Sequence, residues 1–551
     1  MANGPAWWRY RRALDAPAAV QHRLLLRYLR GNRDTVFGRI HGFARIGSID
    51  EYRARVPLMR YEEYEPLIRR VATGEPAVLT AERVRRLAVT SGSTAAVKLI
   101  PYTATLHAEY ERAVGAWVVD LYRARPHLAG GPAYWSLTPR VTSPSVPGAA
   151  VPVGFDEDSR YLGGLAHRFV DGAMAVPGWI RGIEDHETHR YLTILFLLRA
   201  RALRLISVWH PSYLTLLMQA MQTNWESLVA DIREGGAARA PGLPGACRRT
   251  PAARLRADKA RADELGTLEP VRYDRIWPAL GVVSCWGDAA ARGPLDDLRR
   301  NWPNVFVQPK GLLATEAIVT FPFGTGVPPD PRTVEPARLS GGHHPRPLAI
   351  CSHFFEFLDE RGRVYLAHEL EPGATYEVVV STGGGLYRYR LGDRVCVDAI
   401  VGRTPSLTFL GREGNSSDLV GEKLHETFVA DLITRLFQGH CPPRFAMLAP
   451  AGLSYTLFVE PGGALPQALA ERLETGLREN PHYALAVRLG QLAPAGVVHI
   501  RDGFQTFADR AVARGQRVGD VKPVALHRDE GWSQVFASAD PAPEERECIV
   551  H

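Results

Sequence analysis

Residues 90–103 read TSGSTAAVKLIPYT, and the interpretation of the whole chain turns on them. They follow a short β-prone run, VRRLAVT (84–90), and lead into LIPYT (99–103). Between the two lies a loop of small residues, Ser91, Gly92, Ser93 and Thr94, closed by Lys98. Hydroxyls and backbone N–H groups donate to phosphate oxygens and an ammonium balances their charge, so this loop suits a polyphosphate. The spacing is not that of the GxxxxGKS/T loop, because the Gly and hydroxyl positions differ. A plain polar turn is the competing reading, and the loop alone does not separate the two.

Around that loop stands an ordinary globular composition. The chain has 551 residues, 46% hydrophobic and 23% charged, enough for about two to four domains with cores of their own. The longest apolar run, Tyr191–Leu198, ends at Arg199, well short of the roughly 20 residues of a membrane span. The N-terminal MANGPAWWRYRR carries no apolar region after its charges, so no secretory signal is expected. The six cysteines stand apart with no CxxC or Cys/His pair at metal spacing, and reduced thiols in a cytoplasmic protein are expected. The net charge is +7, but the arginines are interspersed with Asp and Glu in runs such as ERVRR. No basic stripe for nucleic acid results. Of 66 basic residues five are lysines (Lys98, Lys259, Lys310, Lys423, Lys522), which marks them as candidate positions for a compact ammonium rather than a planar guanidinium.

Periodicity divides the chain. Residues 10–70 read as helices, with Ser48 and Glu51 spaced as a capping box. Helical patterning returns at 104–125 and 186–232, while 234–262 and 324–349 read as loop-rich excursions. From 350 to 411 short β runs separated by turns predict a meander, either a sheet or a small barrel. After Gly411–Asn415 the texture changes to α+β: a helix in GEKLHETFVADLITRLF, a strand pair in RFAMLAPAGLSYTLFVE, a second helix, then VVHIRDG and VKPVALH. The expected fold is mixed α/β: a large domain over 1–411 with helix-flanked sheets and a barrel-like part, and a small α+β domain over 412–551.

With these stations placed, TSGSTAAVK resembles the AMP-binding signature of the adenylate-forming superfamily of acyl-CoA synthetases, adenylation domains and luciferases. LIPYT resembles one branch, the auxin-responsive acyl acid amido synthetases. Further stretches resemble that branch in order: NRDTVFGRIHGF (32–43), ISVWHPSYL (206–214), IWPALGVVSCW (276–286), KGLLATEA (310–317), GGLYRYRLGDRVCV (384–397) and FLGREGNSSDLVGEKLHE (409–426). The resemblance implies adenylation of a carboxylic acid by MgATP, then transfer of the acyl group to an amine, usually an amino acid. It implies that 1–411 bind ATP and the acid while 412–551 form a mobile lid, in an enzyme expected to be monomeric. Ser91, Gly92, Ser93, Thr94 and Lys98 correspond to the phosphate loop, Thr315 to the α-phosphate hydroxyl and Glu316 to the Mg²⁺ carboxylate. Tyr389 and Asp393 correspond to the ribose-binding turn and Arg412 to the hinge arginine that reaches ribose or phosphate. Lys522 holds the place of the mobile catalytic lysine, and Lys423 is its competitor near the hinge. Two departures stand out: Ala95 replaces a loop glycine, and Leu312-Leu313 replace the aromatic before Thr-Glu.

Three stretches remain. FFEF (354–357) and Ser207-Val208-Trp209 read as core, whereas Tyr134-Trp135 and Pro152–Phe155 are candidates for an acyl pocket. An acyl-CoA ligase with a thiol acceptor is the alternative function, and a catalytically inactive binding module is the alternative of a different class.

Overall fold

Helices open the chain as the periodicity predicts: Gly4–Ala13, Pro17–Gly31, Val36–Ile40, Ile49–Arg55 and Tyr61–Ala72. Ser48 caps the fourth by accepting from Glu51 N at 3.2 Å, while the Glu51 carboxylate reaches one residue further back, to Gly47 N at 2.6 Å. The computed structural model of the protein describes residues 4–90, 98–136, 148–154, 173–183, 185–241, 251, 255–288, 291–324, 344–412, 416–417, 419–420, 422, 424–488, 491–514, 516 and 521–539. It forms two compact units, one of residues 1–288 with 295–410 and one of 289–294 with 411–551. Among the described residues no helix is long and apolar enough to cross a membrane.

In the first unit, β1 (Arg86–Thr90) pairs antiparallel with β2 (Lys98–Tyr102), Thr90 opposite Lys98. A four-stranded parallel sheet follows in the order β3 (Ala133–Trp135), β4 (Leu205–Ser207), β5 (Val282–Trp286) and β6 (Phe306–Lys310). Parallel pairing requires crossover connections. The helices Ala104–Ala124, His186–Arg199, Pro211–Thr223 and Trp225–Glu234 lie in and around these crossovers. The expectation of helix throughout 186–232 therefore needs correction at β4. A buried parallel strand is apolar on both faces, so Leu205-Ile206-Ser207 is indistinguishable by periodicity from the Leu-rich helices flanking it. Leu192, Leu195, Leu217, Trp277 and Trp302 lie in the core on this sheet.

The third sheet contains β7 (Phe354–Leu358), β8 (Val364–Leu366), β9 (Thr375–Ser381), β10 (Tyr389–Val401) and β11 (Thr404–Arg412). Its strand order is β11-β10-β9-β7-β8, antiparallel wherever the register is given. It is not a simple meander: β8 folds back as an edge, and β9 crosses to the other side of β7. As expected, FFEF is core, with Phe354, Phe355 and Phe357 wholly buried.

The second unit carries the short pair β12 (Ser416–Ser417) and β13 (Leu424–His425) and a sheet of β14 (Phe445–Pro450), β15 (Tyr455–Glu460) and β16 (Gly496–His499). Helices Glu426–Leu436 and Leu469–Leu477 cover it, packing Leu432 and Leu473 with Leu448, Leu457 and Val459. VKPVALH, which closes the α+β pattern, makes a bridge from Leu526 to Leu448.

Candidate active site

Lys98 begins β2 and is half-buried, its Nζ 3.7 Å from Glu62 Oε1 and 5.2 Å from the centre of the Tyr61 ring. Tyr61 in turn accepts a hydrogen bond from Leu99 N at 2.8 Å. The first turn of helix Tyr61–Ala72 thus holds the lysine at the start of β2. Ser91, Gly92, Ser93 and Thr94, with Ala95, lie outside the described residues.

Thr315 and Glu316 form the tip of a tight reversal. After β6, Gly311 passes so close to Thr320 that a Cβ there would stand 2.2 Å from the Thr320 carbonyl oxygen. Leu312 N then donates to Thr320 Oγ1 at 2.8 Å, and Ala314 N to the Ala317 carbonyl at 2.9 Å. Leu312 is buried, Leu313 is half-buried, and Glu316 is only 3% exposed. From outside the reversal, Tyr110 Oη reaches the carbonyls of Ala314 at 2.6 Å and Thr315 at 2.7 Å. Sequence reasoning missed Tyr110, because a tyrosine on an amphipathic helix reads as core.

Asp393 was expected in a turn after Leu391-Gly392, and the structure corrects this. Asp393 lies within β10, where the register on β9 slips between Arg390, opposite Val379, and Arg394, opposite Glu377. Four β10 residues thus span what two span on β9, a bulge that Gly392 accommodates at φ +77°. A bulge re-aims side chains as a turn does, and the two share Gly-Asp composition. Asp393 is buried, as is Tyr389, whose ring meets Tyr64 edge-on at 5.9 Å. Just upstream, Arg388 is held at φ +49°. Its Nε bonds Glu356 Oε2 at 2.9 Å, and its Nη1 donates to the Val56 and Arg53 carbonyls.

From the C-terminal ends of β3 and β4, on the side where open sheets place their ligands, the register sets Trp135 and Ser207 in one row with the mid-strand Ser284 and Gln308. Gln308 Oε1 accepts from Ser284 Oγ and Trp117 Nε1, both at 3.1 Å. Two residues on, the Lys310 ammonium donates to the Val208 carbonyl at 2.8 Å, with the Trp209, Trp117 and Trp135 rings 5.0, 5.9 and 5.9 Å away. Trp209, read as core with Ser207 and Val208, is instead half-buried like Trp135, whereas Val208 is fully buried. On the opposite face, burial pushes the Cys285 thiol up to about 12, leaving it a packing group. Phe155 lies outside the described residues.

In the second unit the Arg412 backbone ends β11, while its side chain and all of Lys423 lie outside the described residues. Glu422, next to Lys423, is fully buried and accepts from Leu419 N and Val420 N, each at 2.8 Å, and from Tyr455 Oη. Lys522 is exposed. It stands three residues before Ala525, whose carbonyl accepts from Leu448 N at 2.8 Å and whose N–H donates to Glu426 Oε1 at 3.1 Å. Lys98, Thr315, Glu316, Tyr389 and Asp393 belong to the first unit, and Arg412, Lys423 and Lys522 to the second.

The GH3 family N-terminal domain matches residues 9–305, and the GH3 family central domain matches residues 347–412. The chain is 26% identical over 439 residues to a probable indole-3-acetic acid-amido synthetase of Oryza sativa subsp. japonica, covering 74% of this chain and 70% of that one. It is 24% identical over 445 residues to an indole-3-acetic acid-amido synthetase of Arabidopsis thaliana, covering 74% and 76%. Among solved structures, the GH3.15 acyl acid amido synthetase superposes with a TM-score of 0.80 at 18% identity over 96% of this chain and 94% of that one. A 2-hydroxyisobutyryl-CoA ligase in its postadenylation state superposes with a TM-score of 0.50 at 13% identity, covering 96% and 93%.

Proposed function

The chain belongs to the GH3 family, and from that premise we propose that it is an ATP-dependent acyl acid amido synthetase. A carboxylate attacks the α-phosphate of ATP to give acyl-AMP and pyrophosphate. An amine, most simply an amino acid, then attacks the mixed anhydride to give an amide and AMP. The family match across more than half the chain carries this reading. Lys98 and the 91–94 loop then serve the phosphates, Thr315 the α-phosphate, and Tyr389, Asp393 and Arg412 the ribose side. The Trp117, Trp135, Trp209 and Lys310 cluster is the candidate wall for the acyl end. Residues 1–411 bind both substrates of the first step, and 412–551 act as a lid bringing Lys522, or Lys423, to the reacting charge.

The donor set suits Mg²⁺. Among the described residues no group of three or more His, Cys, Asp or Glu could cage a metal. Mg²⁺ characteristically binds through one or two carboxylates plus substrate phosphates rather than an all-protein cage. Glu316, a hard oxygen donor that is buried and next in sequence to Thr315, is the residue that would hold it, and the ion would offset charge developing on the phosphates.

A pyrophosphate-release screen over aryl, indolyl and aliphatic acids tests the first step. Mass spectrometry with pooled amino acids or with CoA tests the second. Acid-dependent pyrophosphate with amide products is the expected result. Thioester in place of amide would make the chain an acyl-CoA ligase, and no acid-dependent pyrophosphate at all would leave a binding module.

A further inference from the structure

We infer that Glu109, Tyr110 and His353 are positioning residues that fix the Thr315–Glu316 reversal for MgATP, an inference resting on the reading of that reversal given above. Glu109 is wholly buried on helix Ala104–Ala124, and a carboxylate so placed persists only if its lone pairs are satisfied. Tyr28 Oη donates to its Oε1 at 2.6 Å and Gly383 N to its Oε2 at 3.0 Å. His353 Nδ1 stands 3.0 Å from the same Oε2.

The histidine's other contact settles its tautomer. Nε2 lies 3.2 Å from Ile318 N, and a backbone N–H can only donate, so Nε2 accepts. Nδ1 is therefore the side that donates to Glu109. Elsewhere the ring meets the Tyr110 ring edge-on at 5.8 Å. Gln21 holds the histidine's own backbone, donating to the His353 carbonyl at 2.7 Å and accepting from Phe355 N at 2.7 Å.

The consequence falls on Glu316. Tyr110 holds the carbonyls of Ala314 and Thr315 on one side of it, and His353 holds the Ile318 N–H on the other. Adjacent residues of one helix thus reach both flanks, one directly and one through an imidazole. Through Gly383 the Glu109 carboxylate also grips the start of the segment running on to Tyr389 and Asp393. Gly383 has no room for a side chain, because a Cβ would stand 2.3 Å from Thr105 Cγ2. Packing alone needs no buried carboxylate. A site whose donors must be set before the ligand arrives does benefit from a fixed scaffold.

Calorimetric titration with ATP, once with Mg²⁺ and once with EDTA, tests the inference on the full chain and on Tyr110→Phe, His353→Leu and His353→Gln. Unfolding temperatures are recorded in parallel. Tyr110→Phe and His353→Leu should lose about tenfold or more of the affinity that Mg²⁺ adds, with a smaller loss in metal-free ATP binding, which engages Thr315 but not Glu316. His353→Gln, whose Oε1 can accept from Ile318 N, should retain most of it. Should His353→Leu fail to fold, Tyr110→Phe carries the test alone. An unchanged Mg²⁺ increment, or equal loss with and without the metal, would reduce the network to a scaffold. A wild-type chain that binds no ATP would overturn the nucleotide reading itself, and the positioning role with it.

Discussion

Asp393 and Arg388 stand five residues apart on one stretch of chain and have opposite tasks. Asp393 is proposed to accept two charge-assisted hydrogen bonds from ribose, each worth about 1.5–3 kcal/mol. Asp393→Ala should therefore weaken ATP more than tenfold by calorimetry, and an unchanged affinity would make it only a bulge residue. Arg388 is structural. Its guanidinium is 6% exposed against a Glu356 carboxylate that is 1% exposed and also bonded by Arg53 Nε at 2.9 Å. Arg388→Ala leaves that buried carboxylate half-compensated and should cost about 3–5 kcal/mol, read as a lower denaturation midpoint in guanidinium. Arg388→Gly removes the same ion pair but relieves the left-handed backbone, where a non-glycine residue costs about 1–3 kcal/mol. It should lose measurably less than Arg388→Ala, and equal losses would mean that φ +49° stores no strain.

Among the elements, the strap carrying Lys522 is held at Ala525 and again at His527. His527 N donates to the Leu448 carbonyl at 2.8 Å, and His527 Nδ1 accepts from Asp529 N at 3.1 Å. Its ring meets Trp532 edge-on at 4.9 Å. Burial pushes the imidazole down to about 4, with Arg514, Arg510 and Arg528 adding to the effect and Asp529 opposing it. The unfolded chain takes up this proton near pH 6.5. Between about 6.5 and 4 the unfolded state therefore binds more protons, and stability falls as the pH falls through that window. The loss approaches about 3 kcal/mol by pH 4. Hydrogen exchange over 521–530 should accelerate from pH 7.5 to pH 5 relative to the intrinsic rate, and His527→Leu should flatten that trend. Identical trends in both proteins would remove His527 as an anchor.

For the whole molecule the open choice is between two lysines. If Lys522 supplies the ammonium for adenylation, Lys522→Ala should cut acid-dependent pyrophosphate formation roughly 10²-fold. Amide formation from chemically supplied acyl-adenylate should survive. Lys522→Arg should rescue only partly, since a planar fork does not reproduce a point charge. Loss of adenylation in Lys423→Ala alone would transfer the role to Lys423, whose neighbour Glu422 is already locked by Leu419, Val420 and Tyr455.

What the sequence alone determined was local in origin. The helices of 10–70 and 104–125, the β run ending at Thr90, and the β-rich 350–411 followed from side-chain period and turn chemistry, which neighbours along the chain dictate. The family was legible for the same reason, since each of its motifs is a short run of consecutive residues. Tertiary structure decided the rest. The side of β7 on which β8 and β9 pair, the strand hidden at 205–207, and the bulge at Asp393 depend on which faces stack, and no local period encodes that. The same holds for the contacts of Glu109 with His353, Tyr110 with Thr315, and Arg388 with the Arg53 carbonyl. These join residues some hundreds of positions apart, and a buried polar side chain reveals its purpose only when the fold supplies the partner that satisfies it.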